Sequence, residues 1–114
     1  MKNPFIFSIV CLIVFLSACL PVKLIPPTQF DADRMQEKFP GYTLSELNRG
    51  KGLFEQNCTK CHGLKNPASK SEEQWNKIVP KMVNRLNKKE KMLLPSDQQE
   101  AILRFLITMG SKKG

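Results

Sequence analysis

An all-α domain is what this chain predicts, and three observations carry that expectation. Apolar residues recur at helical spacing in three separate stretches, a Ser/Thr-x-x-Glu/Gln signal opens each of them, and no run of alternating strand residues lies between them. The ordered part is about 70 residues, a size at which a protein core alone is marginal and a metal or another staple is usually needed.

The first helix is expected from Thr43, where Thr43-x-x-Glu46 makes a capping box, to about Gln56. Leu44, Leu47, Gly50 and Phe54 share its apolar face, and Gly50 lets another backbone come close at a helix-propensity cost of about 1 kcal/mol relative to alanine. Ser71-Glu-Glu-Gln74 opens a second helix with Trp75, Ile78, Val79, Met82, Val83 and Leu86 on one stripe. Pro80 removes a backbone donor from that helix, so a kink or restart is expected near Val79. A loop over residues 87–95 with Lys88, Lys89, Glu90 and Lys91 facing water follows. Ser96-Asp-Gln-Gln99 caps a closing helix striped by Ala101, Ile102, Phe105, Leu106 and Met109 and ended by Gly110.

Between the first two helices stands Cys58-Thr59-Lys60-Cys61-His62, the Cys-x-x-Cys-His spacing that attaches haem c. Two thiols two residues apart can add to the two vinyl groups of one haem, and the next residue then offers an imidazole to the iron. Cys58 and Cys61 are read as thioether anchors and His62 as the proximal ligand. A zinc site wants four ligands, and this chain has one histidine and no cysteine beyond Cys61. A thioredoxin-like pair wants a βαβ context, and a disulfide across so short a loop would staple little.

Residues 43–109 resemble a small monohaem cytochrome c. The resemblance rests on Thr43-Leu-Ser-Glu-Leu-Asn-Arg-Gly-Lys-Gly-Leu-Phe-Glu-Gln-Asn-Cys-Thr-Lys-Cys-His62, on Trp75-x-x-x-Val79-x-x-Met82, and on the closing helix. It implies a class I cytochrome c-like fold of three to four short helices wrapped around one covalently bound haem, with the first and last helices crossing. It also implies a methionine as distal ligand. Of five methionines, Met1 falls in the leader, Met35 precedes the domain and Met109 sits on the closing stripe, which leaves Met82 as first candidate and Met92, in a loop, as second. Met82 is equally placed to be a plain core residue. Trp75 belongs to the haem pocket on this reading. The resemblance makes the Pro67 carbonyl a candidate acceptor for the ring N–H of His62; Pro67 is equally suited to forming a turn.

The N-terminus has its own organisation. Lys2 and the apolar run over residues 5–16 read as a secretory leader, too short for a transmembrane span. Leu16-Ser17-Ala18-Cys19 resembles the lipobox of bacterial lipoproteins, with residues 1–18 removed and Cys19 lipidated. Residues 19–42, which carry Pro21, Pro26, Pro27 and Pro40, read as a tether, although Phe30, Met35 and Phe39 could fold back and a short helix could form over residues 33–38. The domain proper is placed at residues 43–114. Leu20 lacks the aspartate associated with inner-membrane retention, so the anchor is expected on the periplasmic face of the outer membrane.

The formal charge is +8, and losing the leader removes one lysine and no acid, which gives +7. Nine Lys or Arg residues against three Glu lie between Lys60 and Lys91, so the segment around the expected haem is positive, either as a docking field for an acidic redox protein or as plain solvated helix surface. Electron transfer by a His/Met-ligated haem is the leading expectation, in a monomeric carrier that is not itself an enzyme. The alternative is a gas-binding or sensing module with an open or exchangeable sixth position. Peroxidase-like catalysis would want a distal acid or base, and no second histidine exists. A nucleic-acid role does not suit an exported haem protein.

Overall fold

The computed structural model describes residues 23–58 and 65–111. Among these residues every regular element is helical: α1 (Gln29–Asp33), α2 (Leu44–Cys58), a 3-10 turn (Pro67–Ser69), α3 (Glu72–Glu90) and α4 (Ser96–Gly110). The all-α expectation holds. None of the described helices is long and apolar enough to cross a membrane.

Two of the three predicted caps form as capping boxes. The Thr43 backbone N–H donates to the Glu46 carboxylate at 3.0 Å and the Glu46 N–H returns to Thr43 Oγ1 at 3.1 Å. Ser71 and Gln74 reciprocate in the same way at 2.9 and 3.2 Å. Each box satisfies donors that the first turn of a helix otherwise leaves without partners. The closing helix departs from this pattern, because its N-cap is Pro95, which offers no side-chain acceptor, and not Ser96.

Helix α4 is the centre of the molecule. Its residues from Phe105 to Met109 are all buried, so Ile107 and Thr108 join the expected stripe. Helix α2 crosses it at Gly50, where a Cβ would sit 2.3 Å from the Ala101 carbonyl oxygen and 2.9 Å from Phe105 Cβ. Only a residue without a side chain permits that approach. Beyond the crossing, Phe54 and Phe105 pack with ring centroids 5.7 Å apart. At the other end of α4, Gly110 leaves room for the 3-10 turn, since a Cβ there would meet the Pro67 carbonyl at 2.7 Å.

Two expectations about α3 and its exit need correction. The helix is not interrupted near Val79, because Pro80 lies on its exposed face, where the carbonyl released at Asn76 is accessible to water. It also runs on to Glu90, which shortens the expected loop over residues 87–95, since Lys88, Lys89 and Glu90 are good helix formers after the apolar stripe stops at Leu86. Lys91 ends it in the left-handed region, with φ of 50°.

The segment over residues 28–42 also differs from a free tether. Ala32, Met35 and Tyr42 are buried against the helices, and the short helix spans Gln29–Asp33 rather than residues 33–38. Asp31, fully buried, accepts from the Thr28 N–H and hydroxyl at 2.9 Å each. Arg34 pairs with Asp31 at 3.4 Å and reaches across to donate to the Thr108 carbonyl at 2.5 Å and Ser111 Oγ at 2.8 Å. A guanidinium at the C-terminal end of α4 suits both its unpaired carbonyls and its dipole. The apolar residues at 32, 35 and 42 are too few for a periodic signal, but each finds a place in the core.

Candidate functional site

Helix α2 ends on Cys58, and α3 runs past that end, so the side chains of the two helices face each other across a cleft. Two adjoining hollows make it up. One, of about 480 Å³, is lined by Asn57, Cys58, Val79, Met82, Val83, Arg85, Leu86, Leu94, Ile102 and Leu106. The other, of about 650 Å³, is lined by Phe54, Cys58, Lys65, Lys70, Trp75, Ile78, Met82 and Arg85. Both open to solvent, and both have walls that are largely apolar with a few polar groups, as ligand sites do. Cys58, Met82 and Arg85 belong to both hollows, so they stand where the two meet.

The helical stripe explains the wall. Val79, Val83 and Leu86 turn fully inward, whereas Ile78 and Met82, one step round the helix, are only half-buried and open into the space. A residue that is apolar, half-buried and directed at a cleft lacks a protein partner for part of its surface. Trp75 forms the far wall and is buried, and its indole N–H donates to the Pro67 carbonyl at 2.9 Å. That bond fastens the 3-10 turn against α3, with Gly110 beneath it. A carbonyl has two lone pairs, so the Trp75 bond leaves Pro67 able to accept once more.

Met92 stands elsewhere. It is 40% exposed and lines a shallow groove with Asn84, Asn87, Lys88, Lys91 and Leu93, without Cys58. Asn87 fixes this turn: its carbonyl accepts from the Met92 N–H at 3.2 Å and its side chain from the Leu94 N–H at 2.9 Å. Met35 and Met109 are buried in the core. Of the described methionines, Met82 alone shares a cleft with Cys58. Cys61 and His62, like Cys19, lie outside the described residues, and of the Cys-x-x-Cys-His stretch only Cys58 is among them.

The rim is basic. Lys65, Lys70 and Arg85 are exposed at the second hollow, and none has an ion-pair partner among the described residues. Arg85, Asn57 and Leu94 were not singled out by the sequence reading. Arg85 is off the apolar stripe but only three residues from Met82, the spacing that puts two residues on one helix face and the signal that could have found it. Asn57 is buried in the last turn of α2, where its amide donates to the Leu53 carbonyl at 2.9 Å.

A second polar region lies on the far side of α4, around Tyr42, Glu46, Arg49, Asp97, Glu100 and Arg104. It contains two exposed ion pairs, Arg49 with Asp97 at 2.7 Å and Arg104 with Glu100 at 2.6 Å. The Arg49 guanidinium holds the Asp97 carboxyl below its usual range. Burial pushes the Tyr42 hydroxyl up to about 12; it lies beside the Thr108 hydroxyl, yet neither makes a well-formed hydrogen bond. No group of three His, Cys, Asp or Glu side chains among the described residues is arranged to hold a metal ion. No protein-family model, curated protein or solved structure matches the chain.

Proposed function

We propose that this chain is a periplasmic one-electron carrier, anchored to a membrane through lipid on Cys19. A single haem c would occupy the cleft between α2 and α3, bound through Cys58 and Cys61 and ligated by His62 and Met82. One observation carries the reading: Cys58, the first residue of the Cys-x-x-Cys-His motif, and the Met82 thioether line the same apolar cleft. The residues present fit the group, since an apolar hollow, a thiol at its edge and a soft thioether are what such a cofactor asks of its site. When bound, it supplies reversible exchange of one electron at iron.

The rest is the work of the chain. Val79, Val83, Leu86, Leu94, Ile102 and Leu106 keep water from the cleft, which favours the less charged oxidation state of whatever is bound there. Met82, held on a regular helix, offers a neutral sulfur at a fixed position, and a methionine ligand raises the potential of a haem. Lys65, Lys70 and Arg85 place positive charge at the mouth of the second hollow, suited to carboxylates at its edge and to steering an acidic redox protein towards it.

Protein from the native host tests this reading through its redox titration and its salt dependence. A single reversible one-electron wave, together with electron-transfer rates to the native partner that fall as ionic strength rises, is the expected outcome. Exposed charges are screened over about 8 Å at physiological salt, so steering by the rim must weaken as salt is added. Absence of any reversible wave would overturn the electron-carrier reading, and a salt-independent rate would remove the docking role of the rim.

A further inference from the structure

From the segment that enters the domain, we propose that the surface carrying Ile25 and Phe30 rests on the lipid bilayer and holds the body of the protein against its membrane. The inference rests on the lipidation of Cys19. Ile25 is 63% and Phe30 71% exposed, which makes them, with Leu93 and Met92, the large apolar side chains that the described surface leaves in water. Their neighbours are turned the other way. Leu24 is half-buried against the core, and residues 23–25 line a groove with Asn66, Pro67, Phe105 and Met109 near the C-terminal end of α4. Asp31 and Ala32 are fully buried, so α1 is seated on its inner side while Phe30 points away.

Chain length makes this a membrane question. Leu24 is five residues beyond Cys19, a reach of at most about 18 Å even when fully extended. The body therefore cannot swing on a long leash. Its Leu24 end is held within that distance of the lipid, and the nearest apolar surface, Ile25 and Phe30, falls at the depth of the interface. Aromatic and aliphatic side chains at that depth bury their apolar parts among headgroups and upper acyl chains. The other apolar spot lies at the opposite end. Leu93, 84% exposed, precedes the N-terminus of α4, and the 15 residues of that helix put about 22 Å between its two ends. Leu93, with Lys88 and Lys91 beside it, would thus stay clear of the bilayer and face the aqueous side.

Hydroxyl-radical footprinting read by mass spectrometry tests the proposal on the full processed chain. The probe is the native protein in vesicles of phosphatidylethanolamine with a minority of phosphatidylglycerol, compared with an unlipidated Cys19→Ser form in buffer. Labelling of Ile25 and Phe30 is expected to fall several-fold in the vesicles, while labelling of Leu93 stays unchanged. Equal labelling of Ile25 and Phe30 in both samples, with the mass of the N-terminal peptide showing lipid on Cys19, would overturn the surface and leave the anchor standing. An unmodified Cys19 in that peptide would overturn the anchor and the surface with it. Protection in native membranes that is absent in protein-free vesicles would assign the two side chains to a protein partner and overturn the lipid contact.

Discussion

Helix α2 meets the two long helices beside it in opposite ways. Against α4 it is closed: at Gly50 the backbones come so near that no Cβ fits, and Phe54 packs on Phe105 beyond the crossing. Against α3 it is more open: Ile78, Met82 and Cys58 are half-buried and line a hollow between the two helices. Both sides are built from similar residues at similar spacing. The difference teaches that, among the described residues, the chain closes its core on one side of α2 and leaves a hollow on the other, where the Cys-x-x-Cys-His stretch begins.

Filling the closed side should do the most damage. Gly50→Ala gains about 1 kcal/mol of helix propensity but drives a methyl group into the Ala101 carbonyl, and the net cost should be about 3 kcal/mol or more. Thermal unfolding followed by circular dichroism should show the midpoint falling by roughly 10 °C or more. A midpoint near that of the parent chain would mean that the two helices part easily and that the seam is not what holds the fold.

The next effect comes from the packed N-terminal segment. Folding raises the Tyr42 pKa from 10.0 to about 12, so its stabilising contribution is complete below pH 10 and is lost as pH rises through 12. A shift of that size corresponds to about 2–3 kcal/mol. Alkaline unfolding should therefore show a steep fall between those values, and Tyr42→Phe should flatten it.

Trp75 belongs to both sides, since its ring walls the cleft while its N–H ties Pro67 to the closed end of the molecule. Trp75→Phe keeps an aromatic wall and leaves a buried carbonyl without its donor, which should cost about 2 kcal/mol by denaturant titration. The smallest effect is expected from the Arg49–Asp97 pair, which lies in water. Because Arg49 lowers the Asp97 pKa, the pair helps above the unfolded-state value and loses its contribution as pH falls through the folded one. Asp97→Asn should leave the melting temperature at neutral pH almost unchanged.

Local chemistry made the closed side legible in the sequence. Thr43 with Glu46 and Ser71 with Gln74 announce where two helices start, the periodic apolar residues announce their faces, and Gly50 on such a face announces a close approach. Distant packing was less readable. Pro80 signals a break that its exposed position makes unnecessary, and residues 28–42 look like a proline-rich leash because Ala32, Met35, Tyr42 and the reach of Arg34 to Thr108 follow no period. At the candidate site, Cys58 could be named from the spacing of its motif, and Met82 and Trp75 from the resemblance to small monohaem cytochromes c. The basic contribution of Arg85 and the separation of Met92 from Cys58 depend on where α3 ends and which way the turn after it is folded.

The central claim is that the open side of α2 holds a haem with the Met82 thioether on its iron. The near-infrared absorption of the ferric protein tests it most directly, because a weak band there marks methionine ligation. The native chain and Met92→Ala should both show the band, and Met82→Ala should lose it together with a fall in reduction potential. A band that survives in Met82→Ala and disappears in Met92→Ala would contradict the claim and move the ligand to the turn before α4.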